Sequence, residues 1–92
     1  MNSINFKIQN LIKQKIEIEK FEFIDESYKH LHHTKDTQGA HIKLFIVSDD
    51  FHNLNLIKRH QLIYDILGEM IKKEIHAISM KLLTITEYNS SL

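Results

Sequence analysis

The chain contains no cysteine, no proline and no tryptophan, and only two glycines, Gly39 and Gly68, in 92 residues. Without cysteine there are no disulfides, and any thiolate in a metal site must come from another molecule. Without proline there are no ring-enforced helix breaks, so helical periodicity can be read straight through long segments. Surplus charge is lacking too. Twelve basic residues balance twelve acidic ones, whereas a protein that binds phosphates non-specifically usually carries a basic excess. No apolar run approaches the roughly 18 residues of a membrane span. The amino terminus shows no basic patch followed by an apolar block, so no signal peptide is expected and the expected location is cytoplasmic.

What remains suits one small globular domain over residues 1–92, with an ordered core at about 3–88: 42% of residues are apolar. The unusual component is histidine, seven in all: His30, His32, His33, His41, His52, His60 and His76. Histidine titrates near neutrality and is the commonest metal ligand, so the placement of these residues is the main question.

Read in order, the chain opens with a helix from near Ser3, whose Ile4, Ile8, Leu11 and Ile12 form one apolar stripe. A strand follows at about Lys20 to Glu26, where the alternation of apolar and polar residues settles. Tyr28 to Ala40 is a polar loop holding His30, His32 and His33. His41 to Val47 is apolar on both faces apart from Lys43, the mark of a central strand. Asp49 to Asn53 turns the chain, with Asn53 suited to a left-handed conformation. Asn55 caps a long helix from Leu56 to Ile71. Its buried face is expected to be Leu56, Ile63, Leu67 and Met70, widened by Ile57, Tyr64 and Ile71, with His60 a hydrogen-bonded core residue on the same stripe. Gly68 inside this helix suggests close packing on the sheet. A strand at about Ile75 to Leu83 comes next. Thr84 and Glu87 then form a capping box for a short final helix. The fold class is therefore α+β, in the order αββαβα, with a three-stranded mixed sheet and helices on one face.

Chain direction gathers the histidines. A loop joins the first two strands, so they should run antiparallel. The strand–helix–strand crossover makes the second and third parallel and right-handed. The end of strand one, the start of strand two and the start of strand three then share one rim. Five of the seven histidines, namely His30, His32, His33, His41 and His76, should meet there. Strands one and three lie about 10 Å apart, a gap a loop can close. Two neutral imidazoles at this rim could bind a divalent metal or the iron of an iron–sulfur cluster, with thiolates supplied by a partner. The plain alternatives stand beside this reading: loop histidines are commonly just solvated, and His52 reads as a solvated turn residue.

Asp25, Glu26 and Ser27 with Tyr28, Lys29 and His30, then His41, Val47–Ser48, Phe51, Arg59–His60, Tyr64, Leu67, His76–Ala77, Thr84 and Glu87 resemble the BolA family in order and spacing from Phe23 to Tyr88. The resemblance implies a class II KH-like fold. It also implies an adaptor that partners a monothiol glutaredoxin with its glutathione and shares a [2Fe–2S] cluster with it, in iron–sulfur assembly or iron homeostasis. Alone the chain is expected to be a monomer without bound cofactor. The implied ligands fall on His76 and on His30. The loop looks about two residues longer than in familiar bacterial members, which leaves His32 and His33 as alternatives for the second. Where the family usually has Arg-His-Arg, this chain has Arg59, His60 and Gln61.

Some bacterial members of the family are described as DNA-binding transcription regulators linked to stress and cell shape. Here Lys58, Arg59, Lys72 and Lys73 would supply phosphate contacts, against the plainer reading of a solvated helix face. No GXXG loop is present, and the net charge is zero. An enzyme is not expected, since there is no cysteine nucleophile and no serine–histidine–acid set that spacing can place.

Overall fold

The computed structural model describes residues 3–26, 40–73 and 75–92. Helix α1 spans Ser3–Lys13, β1 Lys20–Asp25, β2 Ala40–Val47, α2 Leu56–Leu67, α3 Glu69–Lys73, β3 Ile75–Leu83 and α4 Ile85–Ser90, with a 3-10 turn at Asp49–Phe51 before α2. The sheet order is β1-β2-β3. β1 pairs antiparallel with β2, and β2 pairs parallel with β3. The α+β class, the mixed three-stranded sheet and the central place of β2 agree with the sequence reading.

Alternation along β2 decides which face is core. Ile42, Leu44 and Ile46 are buried, and they pair across the sheet with Ile78, Met80 and Leu82 of β3. Phe23 and Phe21 of β1 lie beside Leu44 and Ile46. Ile8 and Ile12 of α1 with Ile63 and Leu67 of α2 close this layer. Burying a side chain of this size contributes about 1.5–3 kcal/mol, which makes this layer the main source of stability. Lys43 and Phe45, between the buried residues of β2, face the other way. There α4 makes contact: the Tyr88 ring lies 5.8 Å from that of Phe45, and Lys20 Nζ sits 5.9 Å from the Tyr88 ring centre. The expectation of helices on one face only is corrected by this contact.

Local rules account for several turns. Asn53 takes a φ of 73°, a conformation asparagine tolerates because its short polar side chain can bond locally. Asn55 caps α2, its side chain accepting from the Lys58 amide at 2.9 Å. Thr84 and Glu87 form the reciprocal capping box of α4. At the end of the sheet away from the start of β2, Asp50 Oδ2 accepts from the Glu17 amide at 2.8 Å, and Asp49 Oδ1 accepts from the Ile85 amide at 3.2 Å. These bonds tie α4 and the connection into β1 to the turn after β2.

The single long helix expected from Leu56 to Ile71 is two helices. Gly68 ends α2 with φ 45° and ψ −111°, and its amide donates to the Tyr64 carbonyl at 2.9 Å. Close packing is not the reason for the glycine. A Cβ built there would come no nearer than 3.7 Å, to the Asp65 carbonyl oxygen. The positive φ is what selects glycine, since side-chain-bearing residues are strained there.

Candidate functional site

The rim is built from three chain ends. β1 finishes at Asp25, and the Glu26 amide donates to the His41 carbonyl at 2.7 Å. β2 begins at Ala40 and β3 at Ile75, and the two are parallel, so both start at this rim. The directional argument from the sequence therefore holds for the backbone. Residues 27–39, with His30, His32 and His33, lie outside the described residues. Their flanking residues Glu26 and Ala40 are both at the rim.

His76 occupies an irregular position. Ala40 pairs with Ile75, but His41 pairs with Ala77. The register jumps by one, and His76 is left with no residue opposite it on β2. Such a bulge bends the strand locally, and bulges recur beside functional sites. Beside it, Glu26, His41, Lys43, Ala77 and Ser79 line a shallow cleft of about 180 Å³. His41 is half-buried there. Lys43 Nζ lies 3.9 Å from Glu26 Oε2, a partly exposed pair that contributes little to stability. Among the described residues no group of three or more histidines, cysteines or acidic residues is arranged to hold a metal ion by itself. Among the described residues, His41 and His76 stand at the starts of β2 and β3 on this rim, and the chain has no cysteine to set a thiolate beside them.

The basic residues proposed for phosphate contact do not form one set. Lys58 is exposed in the first turn of α2, and Lys72 and Lys73 are exposed on α3, beyond the break at Gly68. Lys73 lies 3.9 Å from Glu69. Arg59 has to be withdrawn. It is only 6% exposed, and its guanidinium is taken up within the fold. Nε donates to the Leu54 carbonyl at 2.9 Å and Nη1 to the Leu82 carbonyl at 3.0 Å. Nη1 and Nη2 also grip Glu87 Oε1 and Oε2 at 2.7 and 3.1 Å. The fork of donors and its permanent charge suit arginine to such a buried role, and lysine could not supply the same bonds. Glu87 in turn accepts from the Thr84 amide at 2.9 Å. The Arg59 hydrogen bonds, then the Thr84 amide, lower the Glu87 carboxyl to about 2 from an ordinary 4.5. One side chain of α2 thereby locks the end of β3 to the start of α4.

Two further expectations are corrected on α2. Leu56, Ile57 and Tyr64 are exposed, while Arg59 takes the place on the buried stripe beside Ile63 and Leu67. His60 is half-exposed and not a core residue; its Nδ1–H donates to the Leu56 carbonyl at 2.8 Å. The clamp by Arg59 was missed because a charged residue on a helix is ordinarily a solvated one. The one local signal was Glu87, already marked by the capping box.

The family model for BolA-like proteins matches residues 12–87. The chain belongs to the BolA family. It is 39% identical over 85 residues to the DNA-binding transcriptional regulator BolA of Haemophilus influenzae, covering 90% of this chain and 82% of that protein. The solved BolA domain of SufE1 from Arabidopsis thaliana superposes with a TM-score of 0.80 at 36% identity, over 95% of this chain and 98% of that one. BolA1 from Arabidopsis thaliana gives 0.79 at 29% identity, with coverage of 95% and 98%. The BolA fold thus accounts for the mixed sheet and the helices around it. Among the described residues no helix is long and apolar enough to cross a membrane.

Proposed function

We propose that this BolA-like chain is a cytoplasmic adaptor, not an enzyme. It docks onto a monothiol glutaredoxin carrying glutathione and shares a [2Fe–2S] cluster with it, in iron–sulfur assembly or iron homeostasis. The observation that carries the reading is the bulge at His76, on the rim where residues 27–39 leave and rejoin the sheet. His76 is the ligand on a strand. One of His30, His32 and His33 is the second, with His30 first in line from its place after Asp25, Glu26 and Ser27. The chain has no thiolate of its own, so the sulfur ligands belong to the glutaredoxin and its glutathione. Imidazole in place of thiolate raises a cluster's reduction potential.

The test is a titration of cluster-loaded monothiol glutaredoxin with this chain, followed by visible absorption and circular dichroism. Wild type should replace the spectrum of the glutaredoxin homodimer by a new one at one equivalent. If His76→Ala gives the same new spectrum, the ligand assignment fails.

A second reading, DNA binding, is favoured by the Haemophilus influenzae relative, which is named a DNA-binding transcriptional regulator. Lys58, Lys72 and Lys73 would then carry the phosphate contacts, without Arg59. A mobility shift that weakens with salt supports it, and no shift at low salt removes it.

A further inference from the structure

The two edges of the sheet are built differently. β1 is six residues long and carries Lys20, Glu22 and Asp25, the short, charged kind of edge that resists pairing with another chain. β3 is nine residues long, has no proline, and Lys81 is its one permanent charge. A long edge with so little charge is a liability unless something pairs with it.

Backbone direction shows which groups this edge offers. The Ser48 amide donates to the Leu83 carbonyl at 2.9 Å, so Leu83 faces β2. Successive residues of a strand point their amides and carbonyls to opposite sides. Ser79 and Lys81 therefore face β2 as well, while Ile78, Met80 and Leu82 face outward. Arg59 agrees with this phase, since its Nη1 donates to the Leu82 carbonyl. Arg59 closes the edge at that end, and the bulge at His76 interrupts it at the other. Between them, from Ala77 to Lys81, the outward amides and carbonyls of Ile78 and Met80 have no partner among the described residues.

This stretch has the length of an ordinary strand, about 5–6 residues, and backbone groups left open in strand register are matched by another extended backbone. Ile78 and Met80 are half-buried against the core, so residues paired with them should be apolar. On the outer face Lys81 is exposed and has no ion-pair partner among the described residues. Lys81 and Lys43 border a hollow of about 450 Å³ beside Phe45. Glu22 lines it too but is paired with Lys20 at 3.6 Å, so an incoming acidic side chain is what the hollow matches by charge. A second copy of β3 does not meet these terms. The antiparallel register that avoids both Arg59 side chains and both bulges centres on Ser79, and it sets Ala77, not an acid, opposite Lys81.

We propose that the outer edge of β3 takes an extended segment of a partner protein as a fourth strand, apolar where it meets Ile78 and Met80 and acidic where it meets Lys81. The inference uses the edge of β3 and not ligation at the rim, so each can fail without the other.

The test is a nuclear magnetic resonance titration of the nitrogen-15-labelled chain with the peptide acetyl-Glu-Val-Thr-Val-Glu-amide, which offers this pattern in either direction. In the free chain the Ile78 and Met80 amides should exchange with solvent much faster than those of Ser79 and Lys81. With peptide their signals should shift and their exchange should slow, with a dissociation constant of about 1 mM. Lys81→Glu, at an exposed position, should weaken this binding about fivefold and restore it for acetyl-Lys-Val-Thr-Val-Lys-amide. Ile78 and Met80 amides already protected in the free chain overturn the proposal, and protection that disappears on dilution gives the edge to a second copy instead. No shift at these amides up to about 5 mM peptide, or binding that Lys81→Glu leaves unchanged, overturns it as well.

Discussion

Replacing Arg59 by methionine should cost about 3 kcal/mol of stability, although a sequence reading would place Arg59 on a solvated helix face. Methionine keeps most of the apolar stem, so little packing is lost. What disappears is four hydrogen bonds. The bond to the Leu82 carbonyl is buried, and losing a charged donor there costs about 1.5–3 kcal/mol. The Leu54 bond is partly buried and adds about 0.5–1 kcal/mol. Glu87 retains 46% side-chain exposure and its bond from the Thr84 amide, so water takes up much of its lost pairing. That pair adds no more than about 1 kcal/mol. In a domain this size such a loss lowers Tm by roughly 12–24 °C. Urea unfolding followed by circular dichroism measures the change directly, and Lys58→Met, one residue away and exposed, is the control at under about 0.5 kcal/mol. Arg59→Lys should recover only part of the loss, since a single ammonium cannot grip both carboxylate oxygens and both carbonyls. A loss below about 1 kcal/mol for Arg59→Met would refute the reasoning, because a solvated arginine gives that result.

Acid unfolding should report the same clamp. Glu87 is lowered to about 2 in the fold, so its contribution is complete above its ordinary value of 4.5 and is lost as pH falls toward 2. After discounting for its exposure the effect is about 1 kcal/mol, and Glu87→Gln should flatten the stability profile across that window while leaving it parallel to wild type at neutral pH. Gly68→Ala should destabilise by about 1 kcal/mol through backbone strain at positive φ, with no steric clash to relieve; a neutral or stabilising result in urea titrations would contradict the helix break.

How much of this was legible in the residues follows from the range of the rules involved. Asn53, Asn55 and the Thr84–Glu87 box obey rules that act over a few residues, and each was readable. β2 was readable as central because it is apolar on both faces. The parallel pairing of β3 follows from a chain-wide rule about crossovers, and that rule placed His76 at the rim. The bulge at His76 was not legible, since it depends on how two strands register and not on either strand alone. Arg59 was misread because its partners at Leu82 and Glu87 lie 23 and 28 residues away, and nothing local announces them. Leu56, Ile57 and Tyr64 were misread for a related reason. Periodicity finds an apolar arc on α2 but does not say where the sheet stops covering it. Gly68 interrupts a pattern that carries on through it, so the hydrophobic period alone cannot separate α2 from α3.

The proposed ligation of a shared cluster by His76 is tested most directly by pulsed electron paramagnetic resonance on the reduced cluster. The complex is formed between a monothiol glutaredoxin and this chain labelled with nitrogen-15 in its histidines only. Strongly coupled nitrogen-15 from directly bound imidazole should be present with the wild-type chain, and one of its components should vanish with His76→Ala. A spectrum without coupling to the labelled nitrogen, or one that His76→Ala leaves unchanged, would contradict ligation by His76.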